Sequence, residues 1–150
     1  DKKCKVFFKK RRKMIIQENS TQKITCAKDV AKILQAILLT EHQTDQDKEH
    51  FWVIGLNTAN VINYIELVCL GILNEVNIKP RELFRLAIMK ACQSIIIVHN
   101  HPSGEMKPSE GDLLVTERLR RAGDILEIKI LDHIIISKEN FYSFQDEGKF

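Results

Sequence analysis

The feature that most constrains the fold is an unbroken apolar run that ends in two histidines. Residues 94–98 are Ser-Ile-Ile-Ile-Val, and His99-Asn100-His101 follows directly. A short β-branched run of this kind is typical of a central strand buried on both faces of a sheet. Because side chains alternate between the faces of a strand, His99 and His101 should point the same way. The sequence therefore predicts a buried strand that brings two imidazoles to one face of the sheet.

A turn and a helix start follow this strand. Pro102, Gly104 and Pro108 prevent the strand from continuing. Ser109 stands where a helix should begin, and Asp112 lies three residues later, in the first turn. Two imidazoles and one carboxylate form a ligand set suited to zinc, and three protein ligands leave a fourth position for water, as in catalytic zinc sites.

Each half of this pattern also has an ordinary structural explanation. Ser-x-x-Asp is a common helix-capping arrangement, and Asp112 could simply favour the helix dipole. The histidines could be the hydrogen-bonded polar end of a strand. The complete order of buried strand, His-x-His, tight turn and capped helix favours the metal site.

Helical and extended patterns alternate along the chain, which predicts a mixed α/β fold with a single sheet flanked by helices. The length of 150 residues and the 44% hydrophobic content fit one domain. Strands are predicted at 51–56, 61–70, 94–98 and 128–136, with a turn at 57–60 that makes the first two a hairpin. Helices are predicted at 29–39, at 109–122 with an end near Gly123, and from Pro80, and residues 41–48 are predicted to be a loop. The helix from Pro80 should bury a stripe of five residues: Leu83, Phe84, Ala87, Ile88 and Ala91.

The basic residues are concentrated at the start of the chain, and without them the chain is net acidic. This arm could contact DNA through its phosphates, or it could be a solvated edge strand or partly ordered terminus. Strand candidates 6–8 and 14–16 flank it. We therefore divide the chain into a basic arm or edge strand, residues 1–24, and a domain, residues 25–150. The basic residues are Lys2, Lys3, Lys5, Lys9, Lys10, Arg11, Arg12 and Lys13.

The cysteines and the hydropathy exclude several classes of protein. The four cysteines, at positions 4, 26, 69 and 92, contain no C-x-x-C pair, so neither a disulfide framework nor a cysteine-based zinc site is predicted. Cys69 and Cys92 have apolar neighbours and should be buried. No apolar run approaches the roughly 18 residues of a membrane span, and no signal peptide is recognisable. We expect a cytoplasmic protein without membrane contact.

At the histidine segment the sequence resembles a known family. His99-x-His101, seven further residues, Ser109, two residues and Asp112 match the JAMM motif of JAB/MPN-domain metalloproteases. More narrowly, His-Asn-His-Pro-Ser-Gly followed by Pro-Ser-x-x-Asp is similar to the RadC family, and the resemblance covers about residues 25–150. Supporting matches are Pro80-Arg81-Glu82, Leu131-Asp132-His133-Ile134-Ile135 and Tyr142-Ser143-Phe144. One departure is Val68-Cys69-Leu70, where the family usually has Ser or Thr before the glycine.

The resemblance implies a JAB/MPN domain of cytidine-deaminase-like architecture, a bound Zn²⁺ ion and hydrolysis of peptide or isopeptide bonds. It also carries a traditional association with DNA repair. The family further implies a glutamate immediately before an apolar strand upstream of His-x-His. Glu49 matches that position, while Glu41 lies deeper in the loop and Glu66 falls inside the second hairpin strand.

These residues suggest a mechanism. Zinc held by His99, His101 and Asp112 would make water acidic enough to react near neutral pH. Glu49 would act as the general base, and Ser109 could donate its hydroxyl to the oxyanion.

The remaining polar residues of interest lie near this motif or in the loop. Asn100 points away from the two ligands and receives no role at the metal. His133 either orients a ligand or is a hydrogen-bonded histidine of the core. His42 and His50 are predicted to be exposed.

Other functions can be weighed against this one. Zinc nucleobase deaminases need H-x-E and P-C-x-x-C, and neither occurs here. HNH nucleases disperse their motif over a ββα unit, whereas His99, Asn100 and His101 are contiguous. A metal-dependent nuclease stays open, as does a DNA-associated module in which zinc has only a structural role.

Overall fold

The computed structural model of the chain describes residues 20–71 and 78–150, together with the backbone of residues 14–15. The basic residues 2–13 and the strand candidate at 6–8 lie outside the described residues. Both interpretations of the basic arm, DNA contact and a solvated terminus, therefore stay predictions. Of the other strand candidate, residues 14–15 form a short strand at one edge of the sheet.

The described residues form one mixed sheet, with the strand order β1-β3-β2-β4-β5-β6. Neighbouring strands are antiparallel except β4 and β5, which are parallel. The strands are β1 (Met14–Ile15), β2 (His50–Leu56), β3 (Ile62–Leu70), β4 (Ser94–Asn100), β5 (Lys129–Ile136) and β6 (Phe141–Ser143). The helices are α1 (Ala27–Leu39), α2 (Gln43–Gln46), α3 (Pro80–Leu83), α4 (Arg85–Met89) and α5 (Glu110–Leu126). The predicted mixed α/β class with a single sheet flanked by helices is confirmed.

Helices cover both faces of the sheet, so its central strands are buried on both sides. Side chains from α1 share one apolar cluster with alternate residues of β2 and β4, including Trp52 and Val98. Side chains from α3, α4 and α5 share the other cluster with the intervening residues, including Phe51, Ile95 and Ile97. Continuous burial along β2 and β4 explains why both strands are apolar runs without polar alternation.

The two clusters also fix which way the end of β4 points. Ile95 and Ile97 face the cluster that contains α5. The alternation of side chains continues along the strand, so His99 lies on the α5 side and Asn100 on the α1 side. The predicted strand therefore carries its first histidine toward the helix that follows.

The hairpin of β2 and β3 agrees with the sequence prediction. Antiparallel pairing joins the two strands over their length. The side-chain oxygen of Asn57 accepts hydrogen bonds from the backbone N–H groups of Ala59 and Val61. Asn57 thus closes the turn as an asparagine is suited to do.

The helix predicted from Pro80 is wrong in its extent. The chain forms two short helices that meet at Phe84, instead of one continuous helix. Leu83, Phe84 and Ala87 are buried as predicted, but Ile88 is 55% exposed and Ala91 is also exposed. The second helix ends at Met89, and Ala91 lies beyond it with a positive φ of 49°.

Three smaller predictions also need correction. Residues 41–48 are not entirely a loop, because His42 accepts a hydrogen bond from the N–H of Thr44 and caps the short helix α2. Helix α5 does not end near Gly123 but continues to Leu126. Cys92 is buried as predicted, whereas Cys69 is only half-buried.

Among the residues that the structure describes, no helix combines the length and the apolar character that a membrane crossing requires.

Candidate metal centre

Three potential metal ligands converge where β4 ends and α5 begins. Nε2 of His99 lies 2.9 Å from Nε2 of His101. The two carboxylate oxygens of Asp112 lie 3.3 Å from these nitrogens, Oδ1 from His99 and Oδ2 from His101. The His99 side chain is 1% exposed, and those of His101 and Asp112 are 13% and 15% exposed. The predicted ligands therefore form one group that is open to solvent on a single side.

Backbone structure places each member of the group. The N–H of His101 donates to the carbonyl of Ile136, so the contact between β4 and β5 continues beyond the strand. The chain then turns at Gly104, whose φ of 83° suits glycine. Asp112 is fixed by a capping box at the start of α5, where its carboxylate accepts from the N–H of Ser109 while the Ser109 hydroxyl oxygen accepts from the N–H of Asp112. The capping pattern and the convergence of ligands thus coexist.

The electrostatics of the group favour an anionic carboxylate beside the imidazoles. Burial acts to raise the pKa of Asp112, but hydrogen bonds with His101 and His99 outweigh it and hold that pKa well below its ordinary value. The hydrogen bond with Asp112 raises the pKa of His101, although burial acts in the opposite direction. A cation between these side chains, whether a proton or a metal ion, is therefore stabilised.

The donor set fits a divalent transition metal. Nδ1 of His101 lies 2.6 Å from the carbonyl of Glu105, so the ring donates its Nδ1 proton there. Nε2 donates to Asp112 when the ring is protonated, and in the neutral ring it carries a lone pair. That lone pair faces the Asp112 carboxylate and Nε2 of His99. Two imidazole nitrogens and one carboxylate, each offering one ligand atom within 4.8 Å of the others, could hold a single ion.

His133 packs directly against this group. Its Nε2 lies 2.6 Å from Nδ1 of His99, and its Nδ1 lies 2.6 Å from the hydroxyl of Thr116. His133 is fully buried, and its ring stacks on Phe144 at 4.5 Å between centroids. Burial lowers the pKa of His133 well below its ordinary value. His133 is therefore a hydrogen-bonded histidine of the core that contacts His99, and the interpretation that it orients a ligand stays a prediction.

Thr116 contacts both Asp112 and His133, and the sequence analysis gave it no role. It lies four residues after Asp112 in α5, and its hydroxyl donates to the Asp112 carbonyl at 2.6 Å. Positions four apart share one face of a helix, so that spacing was the available signal. The contact with His133 depends on the position of β5 and is not encoded locally.

Glu49 lines a cleft together with two of the three candidate ligands. The cleft has a volume of about 730 Å³, and its walls include Glu49, His101, Ser109 and Asp112. The negative charge of Glu49 contributes to the raised pKa of His101. Neither of the other two candidate glutamates lines the cleft. Glu66 is buried in β3, where Arg85 donates to it at 2.9 Å.

Asn100 holds the segment that carries Glu49, although it does not contact the ligand group. Its side-chain oxygen accepts from the N–H of His50 at 2.5 Å, and its amide nitrogen donates to the carbonyl of Lys48 at 3.0 Å. These hydrogen bonds join β4 to the residues on both sides of Glu49. Sequence reasoning gave Asn100 no role at the metal, and it did not foresee this bridge.

The prediction that His50 is exposed is wrong. His50 is 1% exposed, because its ring stacks on Trp52 at 4.9 Å and its Nδ1 contacts the carbonyl of Lys48 at 2.8 Å. His50 is the first residue of β2 rather than part of the polar loop before it. His42 is exposed, as predicted.

Comparison with known proteins agrees with this fold. Residues 24–149 match the family described as the RadC-like JAB domain. The chain is 40% identical over 141 residues to a UPF0758 protein of Chlorobium chlorochromatii, an alignment that covers 94% of this chain and 61% of the relative. It is 42% identical over 140 residues to a UPF0758 protein of Listeria monocytogenes, covering 93% of this chain and 60% of the relative.

The fold and the match together define a JAB-type domain. The chain belongs to the RadC family, and the resemblance inferred from its motif is confirmed. It spans about three fifths of the length of these curated relatives.

Proposed function

We propose that this chain is a zinc-dependent hydrolase of peptide or isopeptide bonds. The observation that carries the proposal is the convergence of two imidazoles and a carboxylate beside a cleft whose walls include two of these residues, His101 and Asp112, together with Glu49. Membership of the RadC-like JAB family supports the reaction class.

His99, His101 and Asp112 would hold the zinc ion. A bound zinc ion supplies a Lewis acid that makes water acidic enough to act as a nucleophile near neutral pH. Three protein ligands are the number found in catalytic zinc sites, whereas structural sites are usually closed by four. This difference favours catalysis over a purely structural metal.

Glu49 supplies the general base. Its carboxylate belongs to the same cleft wall as His101 and Asp112, so it can take a proton from water there and give it to the departing amine. The hydrogen bonds of Asn100 on both sides of Glu49 hold this segment against the end of β4. General bases are effective when their position is fixed in this way.

Ser109 can stabilise negative charge in the cleft. Its hydroxyl oxygen accepts a hydrogen bond from the N–H of Asp112, and this interaction does not use the hydroxyl proton. Ser109 also lines the cleft. The proton can therefore be donated to the oxyanion that forms when water adds to a carbonyl carbon.

A matched pair of glutamate variants tests the proposal. In zinc-loaded protein, Glu49→Gln should retain the metal and lose about 10²- to 10⁴-fold of its hydrolytic rate, because the amide cannot accept the proton. Glu41→Gln changes a glutamate outside the cleft, and its hydrolytic rate should be close to that of the unaltered chain. Rates would be measured in parallel on short peptides, isopeptide-linked peptides and DNA.

Two outcomes would contradict the proposal. The first is that the zinc-loaded chain hydrolyses neither peptide nor isopeptide bonds. If it cleaves only DNA, it is instead a metal-dependent nuclease. The other is Glu49→Gln protein that hydrolyses peptides as fast as the unaltered chain.

A further inference from the structure

We propose that Thr116 and His133 form a hydrogen-bond relay that fixes the tautomer and ring orientation of His99. The relay would leave the Nε2 lone pair of His99 directed at Asp112 and His101. This inference rests on the proposed metal site and assigns both residues a positioning role.

The relay begins at the backbone of the third ligand. The hydroxyl of Thr116 lies 2.6 Å from the carbonyl oxygen of Asp112 and 2.6 Å from Nδ1 of His133. A carbonyl oxygen can only accept, so the single hydroxyl proton of Thr116 is donated to Asp112. The hydroxyl oxygen must then accept from His133.

The direction of this bond determines the tautomer of His133. Its Nδ1 carries the proton that is donated to Thr116. A neutral imidazole has one N–H, so Nε2 of His133 is an acceptor. Complete burial beside the rings of Phe51 and Phe144 favours the neutral ring.

The tautomer of His133 in turn determines that of His99. Its Nδ1 lies 2.6 Å from Nε2 of His133, and two bare nitrogens at that distance would repel each other. His99 must therefore donate its Nδ1 proton, which leaves Nε2 unprotonated. That nitrogen is the atom that lies 3.3 Å from Asp112. Because Nε2 of His101 lies only 2.9 Å from this nitrogen, the ligand group must then hold a cation, either a metal ion or, in zinc-free protein, a proton on Nε2 of His101. Hydrogen bonds to the second nitrogen of a metal-binding histidine orient many such ligands and strengthen their binding.

The arrangement links two ligands that come from different elements. Asp112 supplies its carboxylate to the ligand group and its backbone carbonyl to Thr116. The relay then crosses from α5 through β5 to His99 on β4. Movement of α5 would disturb both ligands together, so the relay holds the helix start and the strand end in one geometry.

Zinc affinity in matched variants tests the relay. Thr116→Val removes the hydroxyl with little change of shape, and it should weaken zinc binding by about 10-fold, the lower end of the range for residues that support a metal ligand. Thr116→Ser keeps the hydroxyl and should bind zinc like the unaltered chain. His133→Leu should weaken binding by about 10- to 100-fold. Affinities would be measured by competition with a chelator, which requires no enzymatic activity.

Nitrogen-15 NMR of the histidine rings tests the relay without zinc. In zinc-free protein at a pH where the rings of His99 and His133 are neutral, both residues should carry their proton on Nδ1. In Thr116→Val protein, His133 should no longer carry its proton only on Nδ1. In Thr116→Ser protein, the Nδ1–H tautomer of His133 should be kept. Signals would be assigned with single histidine substitutions.

The two measurements separate failure of the relay from failure of the proposed function. If the chain binds no zinc but His99 and His133 both carry their proton on Nδ1, the proposed metal site is wrong and the relay is supported. Protons on Nε2 of His99 or His133 in the unaltered chain would overturn the relay. So would folded Thr116→Val protein that binds zinc as tightly as the unaltered chain.

Discussion

At the scale of single residues, the hydrogen bonds of the rings determine which atoms can bind a cation. The Glu105 carbonyl takes the Nδ1 proton of His101, and the proposed relay through His133 takes that of His99. Both Nε2 atoms then face Asp112, whose pKa is held low. Identical side chains with the opposite tautomers would present N–H groups to the cleft and could not bind a metal there.

Burial of an uncharged His133 predicts a pH-dependent stability of the zinc-free protein. The unfolded chain takes up a proton at His133 below about pH 6.5, whereas the folded chain resists it because burial lowers the pKa. This residue therefore lowers the free energy of unfolding as the pH falls below that value. His101 acts oppositely, because its raised pKa adds stability at low pH that is lost as the pH rises through the folded value.

His133→Gln should remove the acid-sensitive contribution while keeping a polar side chain. Urea unfolding of zinc-free protein between about pH 7.5 and 5 should show a smaller loss of stability on acidification in the variant than in the unaltered chain. Parallel stability curves for the two proteins would mean that His133 is not buried in its neutral form.

The sequence predicted the group of His99, His101 and Asp112 and suggested His133 beside it, but it did not predict the contacts of Thr116 and Asn100. His99, His101 and Asp112 follow from strand alternation and from the position of a helix start, both of which are local rules. Thr116 and Asn100 act across the fold, through the register of β5 and through the segment before β2. Such contacts depend on which strands are neighbours, and spacing along the chain does not contain that information.

At the scale of elements, helix α5 shows how packing overrides a local signal. Gly123 resembles a helix end in the sequence, but it lies within α5 and is buried. A Cβ atom at this position would lie 2.6 Å from the carbonyl oxygen of Ile128 and 3.3 Å from the ring of Phe84. Glycine here allows the C-terminal part of α5 to lie close to the backbone that leads into β5.

Gly123→Ala should therefore destabilise the protein even though alanine is the better helix former. The expected loss is about 1–3 kcal/mol, as for an overpacked core position. Gly111→Ala in the same helix is the control, because its Cβ would meet only the Ser109 hydroxyl at 3.6 Å. That variant should be unchanged or more stable by up to about 1 kcal/mol. Urea denaturation would measure both, and equal stability of the two variants would contradict this account of the packing.

Element predictions succeeded where burial follows a simple period and failed where the chain changes direction. The strands β2 and β4 are continuous apolar runs, and their positions were predicted closely. The helix from Pro80 was predicted as one unit because its apolar spacing continues past Phe84. The chain instead forms two short helices on either side of Phe84, and Ile88 is exposed.

At the scale of the whole molecule, strand order assembles the cleft. Antiparallel pairing sets Phe51 of β2 opposite His99 of β4, so the segment before β2 lies beside the end of β4. The parallel pairing of β4 with β5 requires a crossover, and α5 provides it with its first turn at the same edge. Glu49 is far from His101 and Asp112 in the chain and shares a cleft with them only because of this topology.

This topology explains why Glu49 could be located only through the family resemblance. Local sequence gives the position of β2 but does not say that β4 is its neighbour. The sequence also does not predict the substrate, because the polar loop residues in the cleft walls can bind many kinds of ligand. Contact of the basic arm with DNA and a cytoplasmic location stay predictions from the sequence.

The binding of one divalent ion by His99, His101 and Asp112 is the central claim, and zinc content tests it most directly. Purified chain dialysed against zinc and then against buffer should retain about one zinc per chain by elemental analysis. His101→Ala should lose most of the metal, and His42→Ala, which changes an exposed histidine away from the cleft, should retain it. Failure of the unaltered chain to retain zinc, or full retention by His101→Ala, would contradict the account.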